Sequence, residues 1–160
     1  MRLEKSALGW CVFLLVFAAR TWQDTRRPSR EERLKLHKYL LVGVGGFAGA
    51  ISRYWVGLVV TQRLGLRFPF ATFLINVTGC FLIGFFMHLL AERGVLDLDW
   101  LYLIVIGFIG AYTTFSTFEY EIMRLMIDGQ FGISLLYVGS SLLVGFFMVW
   151  VGAVAAELVI

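Results

Sequence analysis

Gly110-Ala111-Tyr112-Thr113-Thr114-Phe115-Ser116-Thr117-Phe118-Glu119 interrupts the third of the long apolar runs in this chain. Hydroxyls, a carboxylate and two phenylalanines stand where a lipid-embedded helix ordinarily carries Leu, Ile and Val. In hydrocarbon an unpaired polar group costs several kcal/mol, so a polar knot at membrane depth lines a cavity or faces protein. Length poses a second problem. As one unbroken helix the run 100–127 would span about 42 Å at 1.5 Å per residue, against a hydrocarbon core of about 30 Å. A break near Gly110–Thr117 resolves both, leaving two half-helices whose free carbonyls and amides meet at mid-membrane, where unwound carbonyls offer a cation site. The alternative is a continuous tilted helix whose hydroxyls bond back to their own i−4 carbonyls.

Working outward, the whole chain is built for lipid. It has 160 residues, 59% of them hydrophobic and only 16% charged, and its mean hydropathy is +0.81. Such values exclude an ordinary soluble domain. At about 20 apolar residues per crossing, four runs qualify: 39–60, 70–91, 100–127 and 132–157. The expected fold is therefore an all-α membrane protein with four transmembrane helices, the third broken. Short connections leave no room for a soluble domain. Cys11 and Cys80 lie in apolar stretches without metal-ligand or redox spacing, and Cys80 reads as a small packing residue.

Charge separates a leader from this core. Residues 1–38 carry nine Lys/Arg against four acids, whereas residues 39–160 carry five arginines against seven acids. With no nucleic-acid motif, the basic leader signals a membrane surface or an orientation, not DNA or RNA. Its run Ala7–Ala19 is short for a crossing and resembles the apolar part of a signal peptide. A signal-like leader, an interfacial anchor and residues from an upstream start site all fit 1–35. Thr21–Lys35 is expected to be a poorly ordered or surface-helical linker, and 36–160 the functional domain. Within the core, Lys38 and Arg93 on one side face Arg63, Arg67 and Arg124 on the other. Two against three barely specifies an orientation, as suits a core that inserts both ways.

The remaining polar residues sit at helical spacings. Gly45 and Gly49 in the first core helix, like Ser141 and Gly145 in the fourth, form small-xxx-small pairs for close helix approach. Arg53 lies deep in the first run, either buried and paired or snorkelling from the far end of a short crossing. Thr72 and Asn76 stack four apart on one face of the second helix, as an interhelical clamp or as ligand donors in an aqueous path. His88 reads as interfacial ahead of a proton relay. Tyr137 and Ser141 share a face, as packing clamps or as a polar track.

Taken together, Gly45-Gly46-Phe47-Ala48-Gly49-Ala50-Ile51-Ser52-Arg53, then Phe73-Leu74-Ile75-Asn76-Val77-Thr78-Gly79, then Gly107–Phe118 with Glu121 resemble the CrcB/Fluc fluoride channel family across about 36–160. The resemblance implies an antiparallel, dual-topology homodimer in the plasma (inner) membrane, with two narrow pores that passively export fluoride and relieve its toxicity. It implies Asn76 as the pore amide and Phe115 and Phe118 as ring edges along the pore. Thr72, Ser141 and Tyr137 become parts of a polar track, and the Gly110 and Thr113 backbone carbonyls of both subunits hold a structural Na⁺. Arg53 and Glu121 match charged family positions. Ala111 and Tyr112 stand where the family often has Gly and an apolar residue. Gly145 stands where a second small polar residue is expected.

The chemistry is compatible. Fluoride is tightly hydrated, so a dry pore must replace water with hydrogen-bond donors such as amide and hydroxyl groups, and the positive edge of a phenyl ring also suits an anion. A small proton-coupled multidrug-type exporter needs a buried carboxylate, and the first core helix has none. A structural membrane subunit is the other alternative. No P-loop or catalytic Ser/His/Asp set suggests an enzyme.

Overall fold

Apolar runs of membrane length become helices because a spanning segment must satisfy its backbone polar groups internally. The computed structural model describes residues 29–65, 68–92 and 97–159, and every regular element among them is helical. Helix α1 is Arg30–Leu64, and α2 is Phe70–Met87, continued by a π-helical turn at His88–Glu92. Helix α3, residues 98–112, joins Leu98–Trp100, a π-helical stretch Leu101–Ile109 and Gly110–Tyr112. Helix α4 is Phe115–Ile127 and α5 is Phe131–Glu157. Among the described residues four segments are long and apolar enough to cross a membrane: Arg30–Leu64, Phe70–Leu90, Leu98–Ile127 and Phe131–Glu157. The chain is a multi-pass membrane protein.

Residues up to His37 and from Lys38 onward form separate units. In the first, helix begins at Arg30, within the stretch Thr21–Lys35 expected to be a poorly ordered or surface-helical linker. The reason is a capping box: Ser29 Oγ accepts from the Glu32 amide at 3.2 Å, and Glu32 Oε2 accepts from the Ser29 amide at 2.7 Å. The apolar leader run Ala7–Ala19 lies outside the described residues, as do Arg67 and Arg93.

In the second unit, glycines set the helix distances. A Cβ on Gly45 would overlap the Leu103 carbonyl oxygen, and one on Gly49 the Phe108 carbonyl oxygen. Helix α1 therefore lies backbone to backbone on α3. Helices α2 and α5 meet the same way, through Gly84 against the Val149 carbonyl and Gly152 against the Phe81 carbonyl. These are small-residue contacts of the membrane kind. Helix α4 ends in a Schellman motif: Gly129 has φ +73°, its amide reaches Met126 O at 3.1 Å, and the Gln130 amide reaches Leu125 O at 2.8 Å. That motif satisfies the last carbonyls of α4 and turns the chain directly into α5.

At this end of the bundle Phe118, Leu125 and Tyr137 form a buried cluster, with Phe68 and Phe73 packed against it. Tyr137 is fully buried, edge-on to Phe118 at 4.9 Å and to Phe68 at 5.3 Å between centroids. At the other end Lys38 Nζ lies 5.0 Å over the Tyr102 ring. His88 is only 7% exposed and lies 3.7 Å from the Glu157 carboxylate of α5.

Candidate functional site: an extended pair held by a side-chain amide

Between α3 and α4 the backbone leaves helical geometry at two residues, Thr113 (φ −77°, ψ 158°) and Thr114 (φ −148°, ψ 117°). Extended backbone at membrane depth needs partners outside its own helix. Asn76 of α2 supplies them. Its Nδ2 donates to the Thr114 carbonyl at 3.0 Å, and its Oδ1 accepts from the Thr114 amide at 2.9 Å. The carboxamide thus does for Thr114 what a neighbouring strand would do, and one amide N–H is left over.

Diverting that amide has a consequence upstream. In an unbroken helix the Thr114 N–H would go to the Gly110 carbonyl; here it goes to Asn76. The Thr113 carbonyl is turned toward Arg53, whose Nη1 lies 3.4 Å away. Arg53 is half-buried, and its guanidinium reaches a backbone oxygen at the break. Thr113 Oγ1 bonds back to Ile109 O at 3.0 Å, the back-bond that a continuous helix would offer these hydroxyls. Thr114 is also the N-cap of α4, its Oγ1 accepting from the Thr117 amide at 3.3 Å.

Two recesses flank the pair, and Thr114 lines both. One is bounded by Asn76, Gly79, Cys80, Thr113 and Phe115. The other gathers Arg53, Tyr54, Thr61, Thr72 and Thr117.

One helical turn from Asn76, Thr72 Oγ1 donates to Glu121 Oε1 at 2.8 Å, while Tyr137 OH donates to Glu121 Oε2, also at 2.8 Å. Three helices therefore converge on one half-buried carboxylate. Thr72 and Tyr137, expected as parts of a polar track, are tied through Glu121. Ser141 Oγ is buried and has no hydrogen-bond partner within the described residues. Phe115 and Phe118 lie 6.2 Å apart between centroids, yet Phe115 is 74% exposed and Phe118 only 8%. Gly110 is also exposed. The chain thus presents Gly110 and Phe115 on its outer surface.

Among the described residues no three His, Cys, Asp or Glu side chains converge as metal ligands. Carbonyl oxygens are hard ligands suited to hard cations, and the Gly110 carbonyl has lost its usual helical donor to Asn76.

Thr114, Thr78 and the Tyr112 hydroxyl have no role legible from the sequence pattern alone. Thr114 gains one once the helix is known to restart at Phe115, since threonine before a helix that restarts is an N-cap. Thr78 and Tyr112 bond across 34 residues, which no local pattern reveals.

Four helices of membrane-spanning length and composition among the described residues, with side chains spent on holding backbone polar groups, define a multi-pass membrane protein with a built polar site in its interior. Residues 40–153 match the family described as "CrcB-like protein, Camphor Resistance (CrcB)", and the chain belongs to that family. It is similar to the "Fluoride-specific ion channel FluC" of Acidobacterium capsulatum, 52% identical over 123 residues that cover 77% of this chain and 98% of that protein. The protein of the same name from Solibacter usitatus is 45% identical over 120 residues, covering 75% and 98%. "Fluoride-specific ion channel FluC 1" of Bacillus cereus is 39% identical over 122 residues, covering 76% and 89%.

Proposed function

We propose that this protein is a fluoride channel that lets the ion leave the cell passively, through pores completed by a second, antiparallel copy of the chain in the plasma (inner) membrane. The observation that carries this reading is the family match over the four-helix core, with relatives named as fluoride-specific channels. The site chemistry supports it. An anion stripped of water needs donors, and Asn76 retains one N–H after binding Thr114. Ser141 Oγ is a buried hydroxyl with no partner among the described residues. Phe115 and Phe118 offer ring edges. Conduction needs no covalent step, so the chain acts as a conduit and not as an enzyme.

The second copy is argued from exposure. Phe115 and Gly110 face outward from one subunit, where a pore residue facing lipid would serve nothing. Leu142, Leu143 and Phe146 of α5 are also exposed and lie against lipid or the other copy. Bringing two Gly110 and two Thr113 carbonyls together would complete an oxygen cage for Na⁺, which would supply fixed positive charge beside the anion path. Thr72, Tyr137 and Glu121 form the polar side of that path, and Arg53 lines the recess it shares with Thr72 and Thr117.

The test is release of fluoride from liposomes holding the purified protein, followed with a fluoride electrode. Passive fluoride release with chloride strongly excluded is expected. Equal fluxes of the two anions, or no flux of either, would overturn the reading. Tyr137→Phe tests the Glu121 knot separately. It strips one donor from a half-buried carboxylate, a loss of about 1–3 kcal/mol, and is expected to lower the melting temperature by several degrees at about 2–4 °C per kcal/mol. Thermal unfolding of the two proteins in the same detergent measures this.

A further inference from the structure

The Thr78 hydroxyl lies 2.7 Å from Leu74 O and 3.1 Å from Ile75 O, and 2.9 Å from the Tyr112 hydroxyl. Carbonyls only accept, so the single Thr78 proton is spent on its own helix. Tyr112 is therefore the donor in the bond between the two hydroxyls. Its ring is 7% exposed and stacks on Phe108 at 5.8 Å with the planes 8° apart. A tyrosine buried this way spends its O–H on a particular partner.

That partner lies beside the site. Tyr112 is the last helical residue before the extended pair. Gly79, next to Thr78, is where a Cβ would overlap the Thr113 methyl and come within 3.8 Å of Tyr112 Cδ1. Asn76 binds Thr114. Residues 112, 113 and 114 are thus each held by the same turn of α2: by a hydroxyl, by a bare backbone and by a carboxamide. Asn76 fixes only the downstream end of the turn.

We infer that Tyr112 is a positioning residue: through its bond to Thr78 it fixes where the third span leaves helical geometry, and so where the Thr113 carbonyl and the Asn76 amide stand. Without that bond the last turn of α3 is free to rewind or shift about Thr113. The consequence for fluoride flux rests on the channel reading above; the consequence for the backbone does not.

Tyr112→Phe keeps the ring and its stacking, and Thr78→Val keeps the shape of the side chain. Hydrogen exchange on the full chain in detergent micelles, read by mass spectrometry over the peptide covering Thr113 and Thr114, is compared with fluoride release from liposomes. Each single variant is expected to speed exchange in that peptide about tenfold, the scale of one lost hydrogen bond, while amides in the middle of α5 keep their rates. The double variant is expected to exchange no faster than either single one, because both remove the same bond. Thr78→Ser, which retains the hydroxyl, is expected to exchange at the wild-type rate, and fluoride release is expected to slow several-fold in both single variants. Unchanged exchange in Tyr112→Phe would overturn the inference, as would acceleration spread over all helices or singles whose effects multiply in the double variant. A wild-type protein that carried no fluoride would defeat the channel reading, and the exchange rates would still decide whether Tyr112 fixes the break.

Discussion

Asn76→Ala is expected to reduce fluoride release about a hundredfold or more. The substitution removes two bonds at once, leaving the Thr114 amide and carbonyl without the partners they have in the native chain. An unsatisfied buried backbone group costs about 1–3 kcal/mol. Two such groups, at about 1.4 kcal/mol per factor of ten, set the scale. The break can escape that cost only by rewinding toward helix, which would return the Thr114 amide to Gly110 and move Phe115 around the helix axis. Asn76→Asp separates the two bonds. It retains an acceptor for the Thr114 amide but places a second oxygen against the Thr114 carbonyl, where the native side chain donates. Flux is expected to fall with Asp as well, with stability intermediate between Ala and wild type. Flux in Asn76→Ala within threefold of wild type would show that the carboxamide is dispensable to conduction.

The spans are legible in the sequence because lipid imposes a strict rule on them. Predicted runs at 70–91 and 132–157 compare with spans at Phe70–Leu90 and Phe131–Glu157. The length and the hydroxyls of the third run raise the question of its path, and the structure gives extended backbone at Thr113 and Thr114. Polar pairings are less legible. Spacing places Thr72 and Asn76 on one face, but it is silent on what that face meets. Asn76 meets a backbone 38 residues away and Thr72 a carboxylate 49 residues away. For Arg53 the depth in its run leaves pairing and snorkelling open, and its partner is a carbonyl that exists as an acceptor only because the helix stops there. Tyr112 reads in the sequence as a tolerated departure from an apolar position. Its ring behaves as such a residue, buried and stacked, while its hydroxyl bonds to Thr78.

Gly84→Val is expected to prevent the chain from assembling into a stable bundle, because the added side chain wedges α2 off α5 where their backbones touch. A Cβ at Gly84 would overlap the Val149 carbonyl oxygen and lie 2.9 Å from its carbon, and these are backbone atoms that cannot rotate aside. Across the same contact a Cβ at Gly152 would overlap the Phe81 carbonyl and meet the Phe85 amide nitrogen at 2.9 Å. Overpacking by one side chain costs about 1–3 kcal/mol where neighbours can adjust, and the two helices can adjust only by moving apart. In lipid, separation is especially damaging, since close packing rather than a hydrophobic gain holds such helices together. Gly84→Ala is therefore expected to lower the melting temperature by several degrees, at about 2–4 °C per kcal/mol, and Gly84→Val to leave little monodisperse protein on size exclusion. Gly139→Ala on α5 is the matched control, with nothing within 4 Å of the added methyl, and is expected to behave as wild type. Combining Gly84→Ala with Gly152→Ala decides whether separation is the mechanism. If the first methyl has already pushed the helices apart, the second finds room and the pair costs less than the sum of the singles. Full additivity would mean that each methyl is absorbed locally and that the glycines do not act as one contact.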